Sequence, residues 1–341
     1  MRSSPRSTPD AGVLKGGHAG AVIALLAFGV FATHDVLVKT LGATYSPVQI
    51  IFFSVLFGFP VVTIALLGDR TDANLRPRHP GWTVLRTAAT VVTGLCAFYA
   101  FSVLPLAQTY AILFAAPLII TLLAVPMLGE TIRLRRVIAV IAGFIGVMVV
   151  LQPGANPLSL GHLAALTAAT GSALAALIVR RLGNGERGVV LLLYPMAANF
   201  VVMGAALPFV YRPMPALDLG MVAAVAVMGA LGTVLIIHAY RRSEAGVVAP
   251  MQYSQILWAS AYGAIFFDER PEANVVLGAA IIIGSGIYIL WREGRPKASF
   301  TRPVLRTLHL RQDTGTLPRI GILLGRRRGP ESPLANPPPD V

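Results

Sequence analysis

The sequence predicts an all-α membrane protein with ten transmembrane helices, arranged as two inverted five-helix repeats. Two observations lead to this fold class: the composition and a recurring pattern of long apolar runs. Of the 341 residues, 55% are hydrophobic and only 13% are charged, and the mean hydropathy is +0.70. Soluble globular domains carry about 25% charged residues. A chain this poor in charge is expected to lie in a lipid bilayer.

The apolar runs are each about 18 to 23 residues long, enough for a helix to cross a hydrocarbon core of roughly 30 Å. Some connections are very short, such as Leu104-Pro105. Neighbouring spans are therefore expected to form antiparallel hairpins. The predicted spans are residues 20–39, 47–67, 82–103, 106–128, 134–151, 161–179, 188–209, 217–238, 247–267 and 273–291.

The positive charges are concentrated in alternate connections. A net charge of +13 would suggest nucleic acid as the partner of a soluble protein, but this distribution predicts membrane topology instead. By the positive-inside rule, the arginine-rich side is the cytoplasm. Both termini are then cytoplasmic, and no nucleic-acid partner is expected. Cytoplasmic connections contain or adjoin Arg70, Arg76, Arg78, Arg133, Arg135, Arg136, Arg180, Arg181, Arg187, Arg241 and Arg242, whereas external loops hold only Arg212 and Arg270.

The ends of the chain differ from the spans between them. Residues 1–19 are expected to form a cytoplasmic N-terminal segment. Residues 293–341 are rich in Lys, Arg and Pro and have no periodic apolar pattern, which predicts a basic, disordered cytoplasmic tail near anionic headgroups. Cys96 is the single cysteine and lies inside a predicted span. Neither a disulfide framework nor a metal-ligand spacing follows from it, and no metal or cofactor is expected.

The first and sixth predicted spans resemble each other. Residues 20–42 can be laid over residues 161–183, and the alignment finishes with Lys39 on Arg180 and "LG" on "LG". Single identities between Ala- and Leu-rich helices are weak signals, but here they occur in a consistent order. The pattern indicates an internal repeat.

A second overlay matches Glu130 with Glu269 at nearly the same offset. The first repeat is then residues 20–152 and the second is residues 160–292. Each contains five spans, an odd number, so the second repeat must be inverted in the membrane relative to the first. Inverted repeats are characteristic of secondary transporters, which place the substrate near the bilayer midplane between the two halves.

Three longer stretches resemble a known superfamily. They are "DVLVKTLG", "FYAFSVLPLAQTYAILFAAPLIITLLAVPMLGE" and "AYRRSEAGVVAPMQYSQILWASAYGAIFFDERP". Together they are similar to the drug/metabolite transporter superfamily, and within it to the EamA-type permeases, over roughly Gly20 to Glu293. The resemblance implies a monomeric or homodimeric secondary transporter for solutes such as amino acids, amines, nucleotides, S-adenosylmethionine or riboflavin. Relatives often carry an Arg after a Phe-Phe pair in helix two, where this chain has Ser54.

Ionisable residues interrupt the first span. Asp35 and Lys39 are one helical turn apart, so the sequence predicts that they pair on one face. Such residues usually face a cavity or a partner. They are therefore candidates to bind solute, with Asp35 also a candidate proton carrier. Alternatively, Lys39 snorkels to the outer interface and Asp35 merely satisfies it. His34 faces another side, where it is packed or interfacial, although histidine titrates in a useful range for proton coupling.

Proline interrupts the fourth and ninth spans, at Pro117 and within "VVAPMQYSQILW". The backbone carbonyls that proline frees are tolerated at depth mainly where they line a cavity. The resemblance places the cavity among helices one, three, four, six, eight and nine. For Trp258 the alternative is an interfacial aromatic belt. Besides Asp35 and Lys39, the predicted substrate-binding residues are Tyr99, Gln108, Tyr110, His238, Tyr240, Gln252, Tyr253, Gln255 and Trp258.

Two other sets of residues are expected to be structural. Glu130 and Glu269 lie at helix-to-helix turns, where capping or linking at the membrane surface is the favoured role. Glycines in the fifth and tenth spans predict close helix packing. They are Gly143, Gly146, Gly278, Gly284 and Gly286.

The sequence contains neither a GxxxxGK[ST] phosphate loop nor the HExxH and GxSxG motifs of hydrolases. The expected protein is therefore a non-enzymatic permease for a small polar metabolite in a bacterial-type inner membrane. A proton gradient or the solute's own gradient would drive it. The alternatives are a channel-like or lipid-handling membrane protein, and a structural membrane partner that does not transport.

Overall fold

The computed structural model describes residues 12–67, 76–129, 134–153, 158–183, 186, 188–243 and 245–293, and nearly all of them are helical. The helices are α1 (Gly12–Gly42), α2 (Pro47–Leu67), α3 (Pro80–Val103), α4 (Leu106–Leu113), α5 (Ala116–Leu128), α6 (Leu134–Leu151), α7 (Leu160–Leu182), α8 (Gly188–Val210), α9 (Ala216–Arg242), α10 (Ala245–Val248), α11 (Ser254–Phe266) and α12 (Ala273–Glu293). A 3₁₀ helix, Ala249–Tyr253, joins α10 to α11.

These helices account for all ten predicted spans. Seven stretches of the described chain are long and apolar enough to cross a membrane, and α2 and α12 contain two further apolar segments, Pro47–Pro60 and Ala273–Ile289. The fourth span consists of α4 and α5, and the ninth consists of α10, the 3₁₀ helix and α11. The largest difference from the predicted bounds is at α1, which begins at Gly12 rather than residue 20. Predictions for residues 1–11, Glu130 and the tail from residue 294 lie outside the described residues.

The two broken spans are interrupted at matching positions. The fourth span turns at Phe114 and Ala115, just before Pro117, and the ninth changes from 3₁₀ to α-helix at Tyr253 and Ser254. The 139-residue shift that places Glu130 on Glu269 also places Phe114 on Tyr253. Their rings meet edge to face with centroids 5.1 Å apart. This pair therefore lies where the two repeats face each other.

Helices of the first repeat pack mainly against helices of the second. Helix α1 packs along α9, and its counterpart α7 packs along α3. Helix α2 packs on α8, and α6 packs on α12, so each of these pairs contains equivalent helices. Helix α1 also contacts the ninth span, as α7 contacts the fourth. This pattern is expected of two repeats related by a two-fold axis in the membrane plane.

Small residues bring α6 and α12 together. A Cβ atom on Gly146 would lie 2.8 Å from the carbonyl oxygen of Gly278, and one on Gly143 would overlap Leu118. The predicted packing role is confirmed at these glycines, because a larger residue at each would collide with a neighbouring helix. It is wrong at Gly284, where an added Cβ would meet nothing within 4 Å.

Candidate functional site

Polar side chains from three spans form one hydrogen-bonded chain, which we call the central network: His34, Asp35, Tyr110 and Gln255. His34 Nδ1 lies 2.6 Å from Asp35 Oδ1, and the Tyr110 hydroxyl donates to Asp35 Oδ2. Gln255 Nε2 donates to the Tyr110 hydroxyl oxygen over 3.2 Å. All four residues are between 2% and 4% exposed. The network joins α1 and α4 of the first repeat to α11 of the second.

The helix breaks position two members of this network. Tyr110 lies one turn before the break at Phe114, and Gln255 lies in the first turn of α11, directly after the 3₁₀ helix. Asp35 projects from α1, which is continuous across the same depth. Two interrupted helices therefore present their polar groups to an unbroken one.

Aromatic rings surround the network. His34 meets Phe98 edge to face with centroids 6.1 Å apart. Tyr110 contacts Phe101 at 5.3 Å and Phe114 at 6.0 Å between centroids. Burial among rings lowers the local dielectric, which strengthens each hydrogen bond and makes an unsatisfied carboxylate costly. The charge on Asp35 therefore depends on the donors that reach it.

The predicted pairing of Asp35 with Lys39 is wrong. Lys39 Nζ lies 2.7 Å from Glu269 Oε1 and donates to the Leu104 carbonyl oxygen over 2.6 Å. Asp35 binds His34 and Tyr110 instead. The spacing does place both side chains on one face of α1, but Tyr110 of α4 binds Asp35, and Glu269 of the α11–α12 connection binds Lys39.

The capping role predicted for Glu269 is confirmed: the residue lies in the α11–α12 connection and caps a helix of the first repeat. Its Oε2 accepts a hydrogen bond from the backbone N–H of Leu106, at 3.0 Å, at the start of α4. A carboxylate there satisfies a free donor and complements the positive end of the helix dipole. Glu269 thus connects the second repeat to a helix of the first.

Three other predicted residues lie close to the network in α11 and the 3₁₀ helix. Gln252 and Tyr253 are buried, at 5% and 7% exposed. Trp258 packs its ring against α1 at Gly29, where an added Cβ would lie 3.3 Å from it, and beside the ring of Tyr262. The ninth span therefore contacts α1 through the Trp258 ring and through a hydrogen bond between Thr33 and the Tyr262 hydroxyl.

The remaining predicted residues lie apart from the network. Gln108 Nε2 is 3.1 Å from His162 Nε2, which connects α4 to α7. Tyr99 is half-buried against the main core, and Tyr240 packs against a separate cluster between α1 and α9. His238 is exposed. These four residues were predicted from their type and depth alone. In the structure their side chains lie against other parts of the protein or are exposed.

Sequence reasoning missed two buried charged residues. Arg86 is 2% exposed in α3 and donates from Nη1 to the Leu191 carbonyl oxygen over 2.6 Å. The Glu186 carboxylate accepts from the backbone N–H groups of Arg78 and His79, at 2.9 and 3.0 Å. Arg86 was visible as a charge inside an apolar run, but its carbonyl partner lies on a distant helix. Both contacts join the repeats at the arginine-rich end.

At the opposite end, the α1–α2 connection is bonded to the α8–α9 connection and to α9. The Tyr45 hydroxyl donates to Asp218 Oδ2 over 2.5 Å. This hydrogen bond to a carboxylate raises the pKa of the Tyr45 phenol above its ordinary value. Gln49 bonds in both directions with the backbone of Arg212, at 2.7 and 2.9 Å. These contacts join the α1–α2 connection and the start of α2 to the α8–α9 connection and the start of α9.

A multi-pass helical protein whose two repeats pack against each other around a buried polar network belongs to the class of secondary transporters. The chain is a member of the EamA-like transporter family, whose profile matches it twice, at residues 18–152 and 159–291. It is therefore a permease for small metabolites.

Several curated relatives have been named for what they carry. The Pseudopaline exporter CntI of Pseudomonas aeruginosa is 24% identical over 270 residues, covering 78% of this chain and 93% of its own. An S-adenosylmethionine uptake transporter of Rickettsia bellii is 25% identical, covering 79% and 92%. A riboflavin transporter of Vibrio cholerae is 29% identical, covering 70% and 85%.

A solved crystal structure shares the fold. It superposes with a TM-score of 0.54 at 17% sequence identity, covering 80% of this chain and 95% of its own. At that identity the likeness concerns the fold alone.

Proposed function

We propose that this chain carries a small polar metabolite across a bacterial inner membrane by alternating access, with the solute bound at the central network. The observation that carries the proposal is the buried bond from Tyr110 to Asp35, extended to the second repeat by Gln255. Transporters of this architecture bind solute between their repeats. The network lies at such a contact and spans both halves.

Asp35 gives the network its chemistry. A buried carboxylate is tolerated when donors or a cation satisfy it. A solute ammonium group or a proton would each satisfy it, and the two would compete for the same oxygens. Competition of this kind couples solute movement to a proton gradient, with His34 beside Asp35 as a second proton carrier. The S-adenosylmethionine, pseudopaline and riboflavin relatives support a metabolite of comparable size and polarity.

The proposal also includes the orientation of the chain in the membrane. Arginine-rich connections would face the cytoplasm, with both termini on that side. The repeats would occupy residues 20–152 and 160–292, followed by the basic tail at the cytoplasmic surface. The chain would move its solute without chemical conversion.

The test compares metabolites in cells and medium by untargeted mass spectrometry. Cells express the intact chain, Asp35→Asn or Asp268→Asn at equal membrane levels. Asp268→Asn is the matched control, because it makes the same chemical change at an exposed residue. We expect one solute class to shift with the intact chain and the control, and its flux to fall about tenfold or more in Asp35→Asn, as for loss of a charge-assisted hydrogen bond.

Normal flux in Asp35→Asn would exclude the central network as the binding site while leaving the transporter assignment intact. Flux that rises linearly with solute concentration without saturating would instead favour a channel-like protein.

A further inference from the structure

The Lys39–Glu269 ion pair connects three segments of the chain at one point. Lys39 comes from the end of α1, and Glu269 comes from the α11–α12 connection. Between them they bind the α3–α4 connection, Lys39 through the carbonyl of Leu104 and Glu269 through the N–H of Leu106. A single pair of side chains therefore holds both repeats together.

The pair is held in place yet is only partly buried. The Lys39 ammonium lies 5.2 Å from the centroid of the Phe267 ring, and the Glu269 N–H donates to the Gly263 carbonyl oxygen over 2.9 Å. The side chains of Lys39 and Glu269 are 11% and 22% exposed. Ion pairs that water can reach separate more readily than fully buried ones. This position suits a contact that opens and closes.

The ion pair lies one helical turn from the central network on two helices. On α1, Lys39 follows Asp35 by four residues, and on α4, Tyr110 follows Leu106 by four. Helix α1 is therefore linked to α4 at two successive levels. At the upper level, which we define as that of the ion pair, Lys39 binds Glu269, and Glu269 binds the start of α4. At the lower level, one helical turn away, Asp35 binds Tyr110 directly. Access to Asp35 from this end requires the upper level to separate first.

We propose that Lys39 and Glu269 form a latch that closes the external mouth above the central network. The external assignment rests on the proposed topology. When the latch is closed, the network is sealed from outside. When a proton or a solute cation displaces Tyr110 from Asp35, α4 loses its lower link to α1. Separation of Lys39 from Glu269 then opens the path from outside to the central network.

The competing explanation is that Glu269 only caps α4. The two roles can be separated, because the side chain of Glu269→Gln keeps an oxygen for the Leu106 N–H but loses its charge. A pure cap would survive that change, whereas the latch would not. Lys39→Gln removes the charge from the other partner.

The test uses thiol accessibility and requires no knowledge of the solute. Cys96→Ser makes the chain free of cysteine, and Ala107→Cys places a reporter in the first turn of α4, at a residue that is 6% exposed. Intact cells receive a membrane-impermeant maleimide. We expect slow labelling with the latch intact, and labelling roughly tenfold faster in Lys39→Gln and in Glu269→Gln, as for a population shift of that size.

Two controls accompany these variants. Lys39→Arg keeps the charge and should label slowly, and Arg270→Gln removes an exposed external cation beside Glu269 and should also label slowly. Labelling that stays slow in both charge-removing variants would overturn the latch. Equal acceleration in Arg270→Gln, or acceleration seen only with reagent on the cytoplasmic face of inside-out vesicles, would overturn it too. Failure of the solute-flux test would leave this result unaffected.

Discussion

At the residue scale, Tyr253 illustrates how closely the ninth span approaches α12. Its phenol oxygen lies where a Cβ on Gly286 would be, and its ring packs against Phe114 of the other repeat. The absence of a side chain at Gly286 therefore provides the space for the Tyr253 ring. The neighbouring Gly284 has no such contact.

We predict that Gly286→Ala destabilises the protein by about 1 to 3 kcal/mol, the usual cost of forcing extra volume into a packed site. The ring of Tyr253 is stiff and buried, so it cannot yield as a flexible side-chain end would. The measurement is the thermal unfolding midpoint in detergent. Gly284→Ala is the matched control in the same helix, where loss of a helical glycine is expected to be neutral or stabilising by about 0.5 to 1 kcal/mol. Equal midpoints in both variants would refute the contact.

At the element scale, the start of α2 is joined to the α8–α9 connection through backbone hydrogen bonds rather than through an ion pair. Gln49 is fully buried, and its amide binds both the N–H and the carbonyl of Arg212. The Arg212 guanidinium points to a different partner, the Thr44 carbonyl oxygen at 3.0 Å, and is exposed. The amide of Gln49 therefore joins α2 to the α8–α9 connection through two hydrogen bonds to one residue.

We predict that Gln49→Ala costs about 1 to 3 kcal/mol of stability, because it removes two partly buried hydrogen bonds to the backbone of Arg212. Arg212→Gln should cost less than about 1 kcal/mol, since it preserves the backbone bonds and removes only an exposed contact. Unfolding midpoints of the purified variants test both values. A larger loss in Arg212→Gln than in Gln49→Ala would show that charge holds these loops.

The broken spans are also a property of elements. Pro117 and Pro250 differ in their positions within the repeats, yet the helix breaks themselves fall at equivalent residues, Phe114 and Tyr253. The sequence located each break only approximately, because proline disfavours the helix around it without fixing where the turn occurs. Packing between the repeats determines that position.

At the scale of the whole molecule, most helix contacts join a helix of one repeat to a helix of the other. The ninth span lies between Arg242 and Arg270, so the ten-span topology predicts that these two residues lie on opposite sides of the membrane. Both arginines are exposed, so either position will accept a reporter without disturbing the core.

In a Cys96→Ser background, we expect Arg270→Cys to react with an impermeant maleimide in intact cells. Arg242→Cys should react only after permeabilisation, because the positive-inside rule places it in the cytoplasm. The checking measurement is the labelled fraction of each variant before and after detergent. Reversed labelling would invert the topology and overturn the external latch, whereas labelling of both from outside would contradict a ninth span that crosses the membrane.

The sequence by itself determined the membrane class, the spans and the family. These depend on hydrophobic length, composition and local motifs, which are properties of contiguous residues. Asp35, Tyr110 and Gln255 were identified because polar groups in apolar runs are conspicuous at any depth. The glycine face of α6 and α12 was predicted for the same local reason.

Only the tertiary structure decided which of these groups meet. The spacing of Asp35 and Lys39 defined a shared face of α1, but their partners, Tyr110 and Glu269, lie 75 and 230 positions further along the chain. Such contacts depend on helix rotation and on the packing of one repeat against the other, and neither can be read from a local pattern. The same dependence separates Gln255, which joins the network, from His238, which is exposed.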